Sequence, residues 1–164
     1  MANATLAGLA AMPDRLEAVF NLVPSSHRTW VPPSWEGIPG ERFSPLGQVC
    51  HVRDIEVQGY HVRFLRMVSE ENPSLVSLDS YELASGGAYD RADPEDILAA
   101  FRTARDATVE LVRVFTEDQL ARRGTFGEYG AITLRSLVHY LASHDSQHLA
   151  CMDWLLGQIH ADPR

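Results

Sequence analysis

The sequence predicts an all-α protein, a four-helix bundle with long inter-helix loops. Four segments carry apolar residues at helical spacing, two helix starts show a capping residue followed by proline, and strand signals are weak throughout. A chain of 164 residues suits one domain with one core, so we assign residues 1–164 to a single domain. The connections are compatible with antiparallel neighbouring helices.

The first predicted helix runs from about Pro13 to Val23, with a start within residues 3–11 as the alternative. Pro24 and the serines after it end this helix. The loop that follows is rich in proline and carries Trp30 and Trp35. We interpret these tryptophans as ordinary packing residues in preference to a substrate pocket or a dimer contact.

The second helix begins at Ser44-Pro45, an N-cap followed by proline at the first helical position, and is predicted to reach about Val68. Apolar residues on two sides of a helix indicate two packing neighbours. One side contains Tyr60, Phe64 and Met67, and the other contains His51, Ile55, Val62 and Leu65.

The third helix opens at Asp93-Pro94, where acidic residues in the first turn suit the positive end of the helix dipole. We expect Thr116 to cap a short extra turn, and Thr133 to cap a last long helix that ends near Gly157. The connection between residues 69 and 92 is long, and we expect it to cover one end of the bundle. The buried side of the third helix is predicted to comprise Ile97, Phe101, Ala104, Thr108, Leu111 and Phe115.

Composition excludes several classes of function. The net charge is -8 and no basic cluster is present, which disfavours binding to nucleic acid or anionic membranes. No apolar run approaches the ~18–20 residues that span a bilayer, and the apolar start of the chain lacks the charged region of a signal peptide. Cys50 and Cys151 both lie within predicted helices, which favours a reduced cytoplasmic protein over a disulfide scaffold.

His144 and His148 interrupt the apolar stripe of the last helix. Residues four apart on an α-helix lie only about 40° apart around the axis, so both imidazoles share the face of the neighbouring core leucines. Two imidazoles seldom form a metal site alone, and His51 is the best third ligand. The other histidines are excluded by their angular position or by their place in loops and tail: His27, His61, His139 and His160.

Three neutral imidazoles with remaining positions open to water form a plausible catalytic metal site, which suits Zn, Ni, Cu or Fe(II) better than Mg or Ca. Two other motifs fit less well. The spacing of His144 and His148 is that of zincin proteases, but Asp145 stands where glutamate is required. A di-iron bundle needs paired Glu-x-x-His motifs, and only Asp145-x-x-His148 is similar.

These residues resemble the DinB-like superfamily of four-helix-bundle metalloenzymes over most of the chain. The similarity is most specific in the last helix, with further matches around His51, in the Asn72-Pro73 loop and at Phe101 and Arg105. It implies that His51, His144 and His148 bind one divalent metal. The chain departs from the family pattern at Phe43, where many relatives have tryptophan, and at Cys151, where many have glutamine. Cys151 therefore has two interpretations, a small buried residue or a group close to the metal. The last-helix matches are Gly130, Thr133, Leu134, Leu137, His144, Asp145 and His148.

The resemblance implies a metal-dependent enzyme that acts on a small molecule, as a thiol S-transferase or a hydrolase. The metal would be Zn, Ni or Fe, and it would lower the pKa of a bound thiol or water. A low-molecular-weight thiol is therefore a second expected cofactor. Asp145 is the candidate catalytic residue, which would orient a ligand or act as a base. The alternative is that Asp145 is a solvated helix residue without a catalytic role. Relatives imply a homodimer. The alternative function is a non-catalytic, small-molecule-binding or stress-related bundle with a structural metal or none.

Overall fold

Four long helical rods form the body of the protein, which the computed structural model describes for residues 3–161, apart from the side chains of residues 3 and 128. The first is α1, Asn3–Phe20. The second is α2, Pro45–Asp54, which continues through a π-helical segment, Ile55–Tyr60, into α3, His61–Ser69. The third and fourth are α5, Pro94–Arg113, and α7, Leu134–Ala161. The rods α1 and α2 both pack against α5 and α7, so the predicted all-α four-helix bundle is confirmed.

Local capping chemistry places the helix starts where the sequence predicts them. The Ser44 hydroxyl accepts a hydrogen bond from the Gly47 amide (3.2 Å), and the Asp93 carboxylate accepts from the amides at the start of α5. Thr116 forms a reciprocal capping box with Gln119, which opens the short helix α6, Glu117–Leu120. The helix α7 extends one turn beyond the predicted end at Gly157, because buried Ile159 continues its apolar stripe.

Pro13 lies inside α1, so the alternative, earlier start of this helix is correct and the start at Pro13 is wrong. Proline has no amide hydrogen, and it therefore leaves the carbonyl four residues before it without a helical partner. That carbonyl belongs to Leu9, and it accepts a hydrogen bond from the buried guanidinium of Arg105 (3.2 Å). The interruption in α1 thus supplies an acceptor for a charge in the bundle interior.

The π-helical segment corrects one prediction about the second rod. Val62 and Leu65 were expected on the buried side that contains His51, yet their side chains are 47% and 57% exposed. A π-helical turn holds an extra residue, which rotates everything after it by about 100° relative to a regular α-helix. The side with His51 and Ile55 therefore does not continue to Val62 and Leu65, whereas Phe64 and Met67 are fully buried as predicted.

A small three-stranded sheet is present that the sequence did not predict. Strand β1, Ser74–Leu75, runs parallel to β2, Arg123–Phe126, which pairs antiparallel with β3, Gly130–Thr133. Strands of two to four residues are too short for an alternating pattern to stand out. The turn between β2 and β3 needs positive φ angles at Gly127 (40°) and Gly130 (70°), which glycine adopts without strain.

The connection from residue 70 to residue 92 is largely ordered. It contains β1 and a helix, α4, Ser80–Gly87, that packs against α2. Tyr89 is buried just after α4, and its hydroxyl donates to the Asp54 carboxylate (2.8 Å). Among the described residues no helix is both long and apolar enough to cross a membrane. Trp35 stacks on Trp154, as ordinary packing predicts.

Two apolar clusters fill the bundle, and buried polar residues lie between them in the sequence of three of the four rods. One cluster includes Leu9, Ile55, Val109 and Leu141; the other includes Met12, Val52, Phe101 and Leu149. On α5, Arg105 and Thr108 fall between the two clusters, and on α7 Asp145 and His148 do. A polar layer therefore crosses the middle of the bundle, and buried polar groups of this kind need specific partners.

Candidate metal centre

The structure brings together the three histidines that the sequence selected. The Nε2 atom of His144 lies 3.4 Å from Nε2 of His51 and 3.1 Å from Nε2 of His148. One nitrogen from each ring lies within 4.8 Å of the others, and no carboxylate or thiol among the described residues joins this cluster at that distance. The rods α2 and α7 pack against each other, which explains why residues 51 and 148 meet.

These distances fit a shared metal ion. With metal–nitrogen bonds of about 2.0–2.1 Å, neighbouring ligand nitrogens lie about 3.0 Å apart around an octahedral ion and about 3.4 Å apart around a tetrahedral one. The observed separations of 3.1 and 3.4 Å fall in this range. Imidazole ligands suit zinc, nickel or iron, so the donor set also fits the predicted class of metal.

Burial keeps the three imidazoles uncharged at neutral pH. It lowers the pKa of His51 to about 4 and, with the help of neighbouring positive charge, that of His144 to about 3. The pKa of His148 is also lowered well below its ordinary value, first by burial. A neutral imidazole has a free lone pair for a metal, so the environment favours the ligand form of all three residues.

Gln48 fixes the orientation of one of these rings. Its amide Nε2 donates to the backbone carbonyls of Glu41 (2.8 Å) and Phe43 (3.3 Å), which leaves its Oε1 as the acceptor. That oxygen lies 2.6 Å from Nδ1 of His148, so Nδ1 carries the proton and Nε2 is bare. Gln48 was not predicted from the sequence, although a glutamine one turn before His51 on the same side of α2 was the available signal.

Glu41 is the second residue at this site that was not predicted from the sequence. Its Oε1 lies 3.7 Å from Nε2 of His51, and its Oε2 lies 3.6 Å from Nε2 of His148. Because both imidazoles are neutral, these contacts are not ion pairs. Glu41 lies in the proline-rich loop, where no helical or strand periodicity indicates that a side chain faces the bundle.

Asp145 faces a different partner from its neighbour His144. Its two carboxylate oxygens accept hydrogen bonds from Arg105 at 2.6 and 2.9 Å. Arg105 also donates to both oxygens of Glu56 (2.9 and 2.8 Å), and Thr108 donates to Glu56 at 2.5 Å. The structure thus places the candidate catalytic aspartate in a buried ion-pair network.

The other histidines lie outside the cluster. Nε2 of His61 lies 2.8 Å from the Thr108 hydroxyl and 3.1 Å from the Ala104 carbonyl, at the edge of the Arg105 network. His139 and His160 are exposed on α7, so placing residue 160 in a tail was wrong. His27 lies in a short 3-10 turn, as expected for a loop.

Neither cysteine is part of the cluster. Both are free and buried, and burial raises the pKa of Cys50 to about 11 and that of Cys151 to about 12. A thiol with such a pKa stays protonated at neutral pH and is a poor ligand and nucleophile. The interpretation of Cys151 as a small buried residue therefore fits the structure better than that of a group acting on a metal.

A cavity of about 280 Å³ reaches the histidine cluster from one side. His51, His144 and Glu41 line it, whereas His148 and Asp145 do not. Its other lining residues include Tyr60, Arg63, Tyr129, Tyr140, Ser143 and Gln147. A larger cavity of about 540 Å³ lies between α2, the π-helical segment and α4, and none of the three histidines lines it.

Fold and site together define a class: a helical bundle whose polar middle layer carries three converging imidazoles beside a cavity. The sequence model of the DinB superfamily matches residues 9–152, so the chain belongs to this superfamily. Comparison with curated proteins finds no match.

Among solved structures, YfiT from Bacillus subtilis matches with a TM-score of 0.83 and 20% sequence identity. The match covers 98% of this chain and 90% of YfiT. That protein is described as "a probable metal-dependent hydrolase with an unusual four-helix bundle topology". At this level of identity the similarity establishes the shared fold.

Proposed function

We propose that this protein is a metal-dependent hydrolase for a small-molecule substrate, with one divalent transition metal held by His51, His144 and His148. The observation that carries the proposal is the convergence of three neutral imidazoles beside a cavity that His51 and His144 line. Membership of the DinB superfamily and the description of YfiT support it. Among the metals, zinc, nickel and iron suit this donor set.

The residues around the cluster have defined roles in this proposal. A bound ion would supply Lewis acidity and lower the pKa of a water or thiol beside it. Burial holds the imidazoles neutral, and Gln48 fixes the tautomer of His148. The ion pair between Arg105 and Asp145 holds the segment of α7 that carries the ligands. Asp145 is thus proposed as a positioning residue, and its action as a base stays a prediction.

Transfer of a low-molecular-weight thiol is the second form of the proposal. The same site chemistry would serve a thiol nucleophile, and the pKa values of Cys50 and Cys151, raised by burial, imply that such a thiol is a separate molecule. We favour hydrolysis over thiol transfer because hydrolysis needs only water as the second reactant. A homodimer and a cytoplasmic location also stay predictions.

The test begins with metal content. We expect protein purified without an affinity tag to contain about one equivalent of Zn, Ni or Fe by elemental analysis. His148→Ala should lose that metal, whereas His139→Ala, an exposed histidine of the same helix, should keep it. Metal-loaded parent protein is then assayed with ester, amide and electrophile panels, with and without added thiols.

The outcomes separate the candidate functions. Turnover that chelation abolishes and metal restores supports an enzyme, and dependence on added thiol would select the transferase form. Full metal content in His148→Ala would contradict the proposed ligand set. A protein that holds its metal without exchanging ligands and without turnover would instead be the non-catalytic binding bundle.

A further inference from the structure

The carboxylate of Glu41 is placed as though it belongs to the histidine cluster. Its two oxygens lie 3.7 and 3.6 Å from Nε2 of His51 and His148, respectively. Its Oε2 is buried and has no hydrogen-bond partner. A buried carboxylate oxygen without a donor is unfavourable, because it has lost water and gained nothing in exchange. Nε2 of His148, which faces Oε2, carries no proton and cannot supply that donor.

The loop around Glu41 is attached to both helices that carry the histidines. On the α2 side, Gln48 donates to the backbone carbonyl of Glu41 itself. On the α7 side, Gln147 donates to the carbonyl of Pro39 (3.2 Å). The position of Glu41 is therefore set by the backbone on either side of it.

Gly40 allows the loop to approach α7 this closely. A β-carbon at this position would lie 2.7 Å from Nε2 of Gln147 and 2.9 Å from Sγ of Cys151, closer than non-bonded atoms tolerate. The small residue thus lets the neighbouring carboxylate reach the cluster. The same approach brings Cys151 near Glu41, whose negative charge contributes to the raised pKa of that thiol.

We propose that Glu41 is a fourth protein ligand of the metal, which makes the site a three-histidine, one-carboxylate centre. With metal–nitrogen and metal–oxygen bonds of about 2.0–2.2 Å, an oxygen and a nitrogen on one ion lie about 3.0–3.4 Å apart. The observed 3.6 and 3.7 Å involve different oxygens, so ligation requires the carboxylate to turn further toward the cluster. Ligation would also satisfy the orphaned Oε2.

The proposal rests on the proposed metal site and adds to it. Glu41 enters from the loop, while His51 and His144 also line the cavity. Coordination positions that the protein does not fill would be open to that cavity. The carboxylate would bring one negative charge to the ion. A divalent cation would then bind more tightly than it would to three neutral imidazoles alone.

The experiment compares Glu41→Gln with Glu36→Gln, which removes the same charge from an exposed position in the same loop. Affinity for Zn²⁺ and Ni²⁺ is measured by chelator competition, and the ligand field is read from the visible absorption of the Co²⁺-loaded protein. We expect Glu41→Gln to weaken binding by at least about tenfold and to change the Co²⁺ spectrum, with Glu36→Gln like the parent. Circular dichroism of the metal-free variants checks that both fold.

Each other outcome overturns the assignment. Unchanged affinity and spectrum in Glu41→Gln would remove Glu41 from the ligand set while leaving the histidine site intact. Weaker binding with an unchanged spectrum would show that the carboxylate acts through its charge and is not a ligand. A parent protein that binds none of the three ions would end both this inference and the proposed function.

Discussion

Replacement of Arg105 by methionine tests the polar layer in the middle of the bundle. The Arg105 side chain is fully buried and donates five hydrogen bonds: two to Glu56, two to Asp145 and one to the Leu9 carbonyl. Arg105→Met retains most of the side-chain length and removes the charge. The two carboxylates then remain buried without their cation, and the carbonyl freed by Pro13 loses its donor.

The expected loss is large because the partners are fully desolvated. Removing one member of a buried ion pair lowers the free energy of unfolding by about 3–5 kcal/mol, against a total of about 5–15 kcal/mol for a typical domain. The loss should depend on pH. Buried carboxylates without a cation have a pKa raised above that of the unfolded chain, so the variant loses stability as pH rises through that raised pKa. The difference from the parent should therefore be full at pH 8 and smaller at pH 5.

Urea denaturation followed by circular dichroism at both pH values measures this difference. Arg113→Met is the matched control, because Arg113 pairs with Glu110 on the surface of the same helix, where both side chains are more than half exposed. We expect the control to change stability by less than about 0.5 kcal/mol. A loss below about 1 kcal/mol for Arg105→Met at pH 8 would refute the reasoning. Should that variant not fold, Arg105→Lys restores the charge and should recover a folded protein.

Three further predictions address the histidine cluster and the core. Burial lowers the pKa of His51 from 6.5 to about 4. The free energy of unfolding of chelator-treated protein should therefore fall as pH drops below 6.5, by about 3 kcal/mol at pH 4 from this residue alone. A free energy of unfolding from urea denaturation that stays constant between pH 7 and pH 5 would contradict this. Gln48→Met removes the acceptor of His148 Nδ1 and should weaken metal binding about 10–100-fold in chelator competition, whereas Gln58→Met, exposed on the same rod, should have no effect. Phe101→Ala, at a fully buried position, should lower the free energy of unfolding by about 3–5 kcal/mol, and a loss under 1 kcal/mol in thermal or urea denaturation would mean that α5 does not pack as described.

Much of the fold could be predicted because its signals are local. Capping by Ser44, Asp93 and Thr116 acts within four residues, and so these helix starts are readable from the chain. The π-helical segment and the short sheet were missed, since neither has a periodicity that stands out over two to six residues. Pro13 misled the placement of the first helix, because its cost inside a helix is offset by a donor from a distant residue.

Some residues of the candidate site could likewise be predicted from the sequence, and others could not. The pair His144 and His148 is visible as an i,i+4 spacing on one helix, and His51 followed by elimination among the remaining histidines. Glu41 in a loop and Gln48 in α2 were not identified, because both contact His148, about a hundred residues further along the chain. The role expected for Asp145 depended equally on a partner, Arg105, which sequence spacing does not reveal.

The sequence by itself determined the helical class of this protein, the main helix starts and which imidazoles share the face of the last helix. These properties depend on hydrogen bonds and angles within one or two helical turns. Only the tertiary structure decided which charges are buried together, where the loop carboxylate meets the histidines and which side of them faces a cavity. Packing of distant segments sets these features, because the burial that neutralises an imidazole or demands a partner for a guanidinium exists only when all four rods are assembled.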